Sequence, residues 1–151
     1  MNTQNYTQKT VEAIQNAQNI ARENDNQSLV PEHLLYSLLD QDGGLIPSLF
    51  KKMGVDCNTV LGELDSYIST LPKVSGGEMY LSSETDRVIR TAEKTAKSMN
   101  DEYVSVEHLM LGIFANMTPE IRQIFNSHGI TKNAFAEELS KVKTSPITSD
   151  N

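Results

Sequence analysis

The sequence predicts an all-α fold of eight helices, arranged as two tandem four-helix repeats around a pseudo-twofold axis. Three observations predict it. The sequence matches itself at an offset of 75 positions, the separation between His33 and His108. Within each copy, apolar residues recur at the three- and four-residue spacing of a helix. Both copies also have helix-starting and helix-ending residues at equivalent positions.

The duplication extends without a gap from about Thr7–Tyr67 onto Ser82–Val142. It predicts a first repeat at 1–70, a linker at 71–81, a second repeat at 82–143 and an exit linker at 144–151. Residues that keep their character in both copies are Ile14, Ala17, Ala21, Glu32, Leu34, Phe50, Gly54 and Leu64, matched by Ile89, Ala92, Ala96, Glu107, Leu109, Phe125, Gly129 and Leu139.

The first helix of each copy follows Thr7 or Ser82, whose hydroxyl oxygens suit an N-cap. The second helix begins at Pro31 or after Ser105. A third helix is predicted at 46–53 and 119–128, ending at a glycine that favours the left-handed conformation, and a fourth at 58–69 and 133–142. We expect no sheet. Neither repeat buries its apolar faces alone, so the two copies are expected to pack against each other.

Composition excludes several classes of function. The net charge is -7, with 13 basic against 20 acidic residues, so no nucleic-acid partner is expected. Apolar runs are far shorter than the roughly 20 residues of a membrane span, and no membrane partner is expected. The single cysteine and an N-terminus without an apolar core predict a cytoplasmic location.

Catalytic chemistry is largely missing from the sequence. No Gly precedes a Lys, so the phosphate-binding loop of ATPases is missing and the chain is predicted not to be an enzyme. A hydrolase built on Cys57 and a histidine is the rival reading, although no nucleophile motif surrounds Cys57. No metal site is expected, because His33 and His108 lack the second histidine of an H-E-x-x-H motif, and each is expected to form a helix-packing or capping hydrogen bond.

Two further features leave alternatives open. Glu32 and Glu107 suit the first turn of a helix, yet two matching acids could also flank a groove and bind an arginine guanidinium. Tyr103 lies in a polar connector, where its ring is either a plain linker residue or a contact for a partner.

The paired A-x-x-x-A helices, each followed by [LV]-x-x-E-H-L-[LM] at the 75-residue repeat, resemble the Clp N-terminal domain family, the N-domains of AAA+ unfoldases. The segments QDGGLIPSLFKKMGVD, LPKVSGG and the terminal ITSDN resemble its ClpB branch. The chain therefore resembles an excised domain that precedes an ATPase module.

The resemblance implies a module that binds unfolded or aggregated polypeptide and delivers it to an ATP-driven pore. No cofactor is expected in this chain, since ATP would bind the missing ATPase modules. The isolated domain is expected to be a monomer, and the full protein a hexamer working with a DnaK-type chaperone system.

The family's substrate contacts correspond here to Thr7, Asp101 and Glu107, and Val11 and Tyr103 are candidate groove residues by sequence proximity. The alternative is a ClpC-like domain that docks adaptors or reads arginine-phosphate, for which the resemblance points to Glu32 and Glu107. His108 departs from some ClpB members, which have an apolar residue there.

Overall fold

A computed structural model describes residues 4–143, so the predicted exit linker at 144–151 lies outside the described part. The fold is all-α, as predicted. The first repeat comprises α1 Gln8–Glu23, α2 Pro31–Leu39, α3 Leu45–Lys52 and α4 Cys57–Ser69; the second comprises α5 Ser83–Ser98, α6 Val106–Ala115, α7 Pro119–His128 and α8 Lys132–Lys143. The bounds predicted for the third and fourth helices agree to within one residue.

The prediction that the chain has no sheet is wrong in one detail. Two-residue strands, β1 Ser28–Leu29 and β2 Tyr80–Leu81, pair in parallel, and an isolated parallel bridge joins Tyr6 to Val104. Strands this short show no alternating pattern, and their partners are distant in sequence, so periodicity could not reveal them.

These pairings exchange backbone between the repeats. We call residues 5–7 and 80–82 the lead-in segments, because each precedes the first helix of its own repeat. The amide of Tyr80 donates to the carbonyl of Gln27 at 3.0 Å, while the amide of Val104 donates to the carbonyl of Asn5 at 2.8 Å. Each lead-in segment thus pairs with the opposite repeat, and the two copies interlock.

Local capping explains where the helices begin. The hydroxyl oxygens of Thr7 and Ser82 accept from the third amide of α1 and α5, at 3.2 and 3.0 Å, as predicted. His33 and His108 each accept a backbone N–H on Nδ1, from Val30 at 3.0 Å and Ser105 at 2.8 Å. Each histidine was expected to form a helix-packing or capping hydrogen bond, and the bond that both form here is the capping one.

The interface between the repeats contains a cluster of phenylalanine rings. Phe50 of α3 meets Phe125 of α7 edge to face, with ring centroids 6.4 Å apart, and Phe135 of α8 at 6.2 Å. Phe50 and Phe125 are equivalent positions of the duplication, so the pseudo-twofold axis passes close to their contact. This core joins the repeats, as the apolar pattern predicts.

The linker at 71–81 is exposed over most of its length but is attached to the first repeat. The amide of Val74 donates to the carbonyl of Asp25 at 2.8 Å, and the side chain of Asn26 donates to the carbonyl of Pro72 at 3.3 Å. The segment therefore runs along the outside of the first repeat and ends in β2.

Candidate functional site

One surface groove lies beside the first helix of each repeat. The first, here the Val11 groove, has a volume of about 510 Å³ and is lined by Val11, Ile14, Gln15, Gln18, Arg22, Leu29, Met79, Tyr80 and Leu81. The second, here the Tyr6 groove, has a volume of about 400 Å³ and is lined by Asn5, Tyr6, Glu93, Ala96, Lys97, Asp101, Glu102 and Val104.

The two grooves are copies of each other. Five lining positions of one are the 75-residue equivalents of five in the other: Gln18, Arg22, Leu29, Tyr80 and Leu81 correspond to Glu93, Lys97, Val104, Asn5 and Tyr6. In each case the walls are the first helix of one repeat and the lead-in segment of the other. The grooves therefore exist only because the repeats exchange their lead-in segments.

The charges of the two grooves differ. Gln18 corresponds to Glu93, Asn26 to Asp101 and Gln27 to Glu102, so three neutral positions of the first repeat are acidic in the second. The lining of the Tyr6 groove carries three carboxylates and the ammonium of Lys97, whereas Arg22 is the charged lining residue of the Val11 groove. The Tyr6 groove thus favours basic partners.

Asp101 is well placed in the Tyr6 groove. It follows α5, after the left-handed residue Asn100 (φ 60°), and its side chain is 31% exposed. Its Oδ2 accepts a hydrogen bond from Nε2 of His108 at 2.8 Å. The carboxylate therefore lies between a buried ring and the groove.

Tyr6 forms part of the groove's apolar floor and reaches across to α5. The Tyr6 hydroxyl donates to Oε2 of Glu93 at 2.7 Å, joining the first lead-in segment to the second repeat. Burial is the main cause that raises the pKa of Tyr6, and the bond to the Glu93 carboxylate acts in the same direction. The phenol thus stays protonated and keeps donating.

The predicted binding residues do not form one cluster. Asp101 lines the Tyr6 groove, whereas Val11 lines the other groove. Thr7 is buried, and its amide donates to the carbonyl of Val104 at 3.0 Å. Tyr103, next to that carbonyl, is 38% exposed, so its ring is accessible as expected.

Glu32 and Glu107 are both buried, with 2% and 4% of their surface exposed. Oε2 of Glu32 accepts from the hydroxyl of Thr118, the N-cap of α7, at 2.6 Å. Burial raises the pKa of Glu32, and that hydrogen bond opposes the change. In this arrangement Glu32 joins the two repeats, and a guanidinium would have to displace Thr118 to reach Oε2.

Other candidate chemistry has little support in the part of the chain the structure describes. Burial, followed by the charge of Asp56, raises the pKa of the Cys57 thiol, which favours the unreactive protonated form. Its Sγ lies 3.9 Å from the carbonyl of Pro47. Among residues 4–143 no group of three or more histidine, cysteine or acidic residues could hold a metal ion. No helix there is long and apolar enough to cross a membrane.

Sequence reasoning missed most of the groove lining, including Tyr6, Glu93, Lys97 and Glu102. The duplication itself was the available signal, because the 75-residue offset maps Tyr80 and Leu81 onto Asn5 and Tyr6. The exchange of lead-in segments carries no sequence pattern of its own, and without it the two walls of a groove cannot be brought together.

Comparison with known proteins agrees with this architecture. The family profile described as the Clp repeat (R) N-terminal domain matches residues 5–128. "Chaperone protein ClpB" of Porphyromonas gingivalis is 38% identical over 143 residues, which cover 95% of this chain and 16% of that protein. The chain thus spans about a sixth of the length of this curated relative.

Solved structures share the fold. The N-terminal domain of Hsp104 from Candida albicans superposes with a TM-score of 0.85 at 19% identity, covering 98% of this chain and 100% of that one. A complex of the ClpV N-domain with a VipB peptide gives a TM-score of 0.70 at 16% identity, covering 90% and 88%. With the duplicated helices, the profile match over most of the described residues places this chain in the Clp N-terminal domain family.

Proposed function

We propose that this chain is the client-binding N-terminal domain of a ClpB-type chaperone, and that it binds unfolded polypeptide segments in the Tyr6 groove. The observation that carries the proposal is the groove itself: apolar side chains of Tyr6, Ala96 and Val104 form its floor, and the carboxylates of Asp101 and Glu102 line its rim. An extended segment with apolar and basic side chains complements both parts.

Two comparisons support the proposal. The relative from P. gingivalis is named a ClpB chaperone. The ClpV N-domain, which shares the fold, was solved in complex with a peptide. A groove of this size buries little of a client, so affinity should be modest and release easy. In the full-length protein, hexamerisation, ATP-driven threading and cooperation with a DnaK-type system would follow from the same assignment.

The alternative, adaptor docking or arginine-phosphate recognition at Glu32 and Glu107, has less support from the geometry. Both carboxylates are buried, and Glu32 is engaged with Thr118. Recognition there would require side-chain movement and the loss of a contact between the repeats.

The test is an NMR titration of the ¹⁵N-labelled domain with reduced, carboxamidomethylated lysozyme, a basic unfolded chain, with native folded lysozyme as the control of the same charge. Amide shifts should cluster at Tyr6, Asp101, Glu102 and Val104, and only with the unfolded protein. Shifts around Glu32 and Thr118, or an unchanged Tyr6 groove, would contradict the proposal.

A matched pair of charge reversals tests which groove is used. Glu102→Lys changes an exposed residue of the Tyr6 groove, and Arg22→Glu changes an exposed residue of the Val11 groove. For an unfolded peptide rich in Leu and Arg, Glu102→Lys should weaken binding about fivefold, roughly 1 kcal/mol, because it places like charges together. Arg22→Glu should leave that affinity unchanged; an unchanged affinity in Glu102→Lys together with tighter binding in Arg22→Glu would assign binding to the Val11 groove.

A further inference from the structure

We propose that His108 is a positioning residue, which holds the Asp101 carboxylate in the Tyr6 groove so that it can contact a basic side chain of a client. This inference rests on the proposed function, and it adds the chemical class of side chain that the groove selects. Three observations carry it: the fixed tautomer of His108, the difference between the two repeats at this site, and the position of Asp101 at the groove.

The tautomer of His108 is set by the backbone. Its Nδ1 accepts the N–H of Ser105 at 2.8 Å, so the proton of the neutral ring is on Nε2. Nε2 lies 2.8 Å from Oδ2 of Asp101 and donates to it. The ring is fully buried, so it cannot rotate away without breaking the start of α6. A rigid donor therefore fixes one oxygen of the carboxylate.

The first repeat contains the same ring with a different partner. Nδ1 of His33 accepts the N–H of Val30 at 3.0 Å, and its Nε2 lies 2.9 Å from Oδ1 of Asn26. Asn26 is buried and neutral and lines a smaller pocket of about 150 Å³, whereas Asp101 is charged, half-buried and lines the Tyr6 groove. Capping the helix requires only Nδ1 and is common to both copies. The second repeat alone uses Nε2 to hold a charge at the surface.

Fixing the carboxylate helps to bind a cation. A free aspartate side chain would lose rotamer freedom when a client binds, and the bond from His108 removes part of that cost in advance. The other charged groups of the groove are Glu93, Glu102 and Lys97. Glu93 accepts a hydrogen bond from the Tyr6 hydroxyl, and Asp101 and Glu102 line the same groove beside it. An arginine or lysine side chain fits this rim.

The decisive variant is His108→Gln, with His33→Gln as its matched control. A glutamine at the third position of a helix can still accept the N–H of the N-cap residue, so both variants keep the cap and replace the ring's rigid Nε2–H by a flexible amide. Asp101→Asn reproduces the pairing of the first repeat, keeping a hydrogen-bond acceptor and removing the charge. The probes are two unfolded 16-residue peptides of Leu and Ser, one with three Arg and the other with three Gln.

For the Arg peptide, His108→Gln and Asp101→Asn should each weaken binding about fivefold. The double variant should be no weaker, because both changes disrupt the same pair of residues. His33→Gln should change the affinity less than about twofold, and the Gln peptide should not distinguish the variants. Equal effects of His108→Gln and His33→Gln, or losses that multiply in the double variant, would overturn the inference.

Wild-type protein supplies a readout that is independent of variant folding. On addition of the Arg peptide, the ¹⁵N signals of the His108 ring should shift while those of His33 remain in place; unchanged His108 signals would overturn the inference.

If neither peptide binds wild type, the proposed function is wrong. The positioning role is then decided by the χ1 couplings of Asp101, which should average over rotamers in His108→Gln but not in His33→Gln. A single rotamer in His108→Gln would refute it.

Discussion

Thr7 stabilises the start of α1 through both its backbone and its side chain. Its amide pairs with Val104 of the other repeat, and its hydroxyl oxygen accepts from the amide of Thr10 at 3.2 Å. The family resemblance implies a client contact at this position, but the residue is 3% exposed. Its contribution to binding would therefore act through the shape of the neighbouring Tyr6 groove.

Thr7→Ala should lower the free energy of unfolding by about 1 kcal/mol, because the first turn of α1 loses its cap. Thr7→Ser keeps the oxygen and should restore most of that loss. Urea denaturation at equilibrium measures both. Equal stability of the alanine and serine variants would show that the cap is unimportant and that Thr7 serves another purpose.

His33 should make stability depend on pH. Burial lowers its pKa from the ordinary 6.5 to about 4, so the unfolded chain binds more protons between these values. The stability linked to the neutral His33 ring is fully present above about pH 6.5 and is lost as the pH falls towards 4. Between about pH 7 and pH 5.5, wild type should lose about 1 kcal/mol more than His33→Gln.

The comparison with His33→Gln isolates this residue, because Glu32 is common to both proteins. The raised pKa of Glu32 changes the pH dependence of stability in the opposite direction. This contribution cancels when the variant is compared with the wild type. Urea denaturation at the two pH values gives the free energies. Parallel losses in wild type and variant would mean that His33 titrates normally in the folded protein.

Residue-level features that depend on local chemistry could be predicted from the sequence. The caps at Thr7 and Ser82 follow from residue type and from position at a helix start, and so does the expectation that both histidines form a packing or capping hydrogen bond. The burial of Glu32 could not be predicted, because it depends on Thr118, 86 positions away. The sequence also could not show that Val11 and Asp101 line different grooves, because each groove is formed by segments that are distant in sequence.

At the level of elements, α5 and α6 cross closely at Gly112. A Cβ added at Gly112 would overlap the carbonyl oxygen of Val88. The first repeat has Ser37 and Ala13 at the equivalent positions, and there the serine hydroxyl donates to the alanine carbonyl at 2.6 Å. The two repeats therefore fill one crossing with different small residues.

Gly112→Ala should destabilise the protein by about 1 to 3 kcal/mol, since backbone atoms would have to move apart. Gly62→Ala is the matched control, because Gly62 lies in α4 with nothing within 4 Å of the added Cβ. That variant should gain about 0.5 to 1 kcal/mol from helix propensity. Thermal unfolding followed by circular dichroism measures both, and a change of the same sign in both would contradict the proposed crossing.

Helices were predictable as elements, whereas the strands were not. The stripe formed by Ile14, Ala17 and Ala21 and the glycine after α7 are local signals that define a helix and its end. The pairing of β1 with β2 joins segments about fifty positions apart and involves two residues in each strand. Only the folded arrangement of the helices brings these segments together.

For the molecule as a whole, the exchange of lead-in segments makes the two repeats one cooperative unit. The backbone of each repeat completes its hydrogen bonds with the other, and the core around Phe50 contains rings from α7 and α8. Separating the repeats would expose both the strand edges and the aromatic cluster. Neither repeat should therefore be stable alone.

Cleavage between Gly76 and Gly77, two exposed residues of the linker, divides the chain into fragments 1–76 and 77–151. Fragment 1–76 keeps α1 to α4 but lacks β2 and the rings of Phe125 and Phe135, so it should show little helical circular dichroism on its own. Mixing the fragments should restore the helical signal, with a dependence on concentration that reports their association. A fragment 1–76 that unfolds cooperatively by itself would show that the first repeat is stable without the exchanged segment. The two repeats would then be independent folding units, and the exchange would serve to form the grooves and not to stabilise the fold.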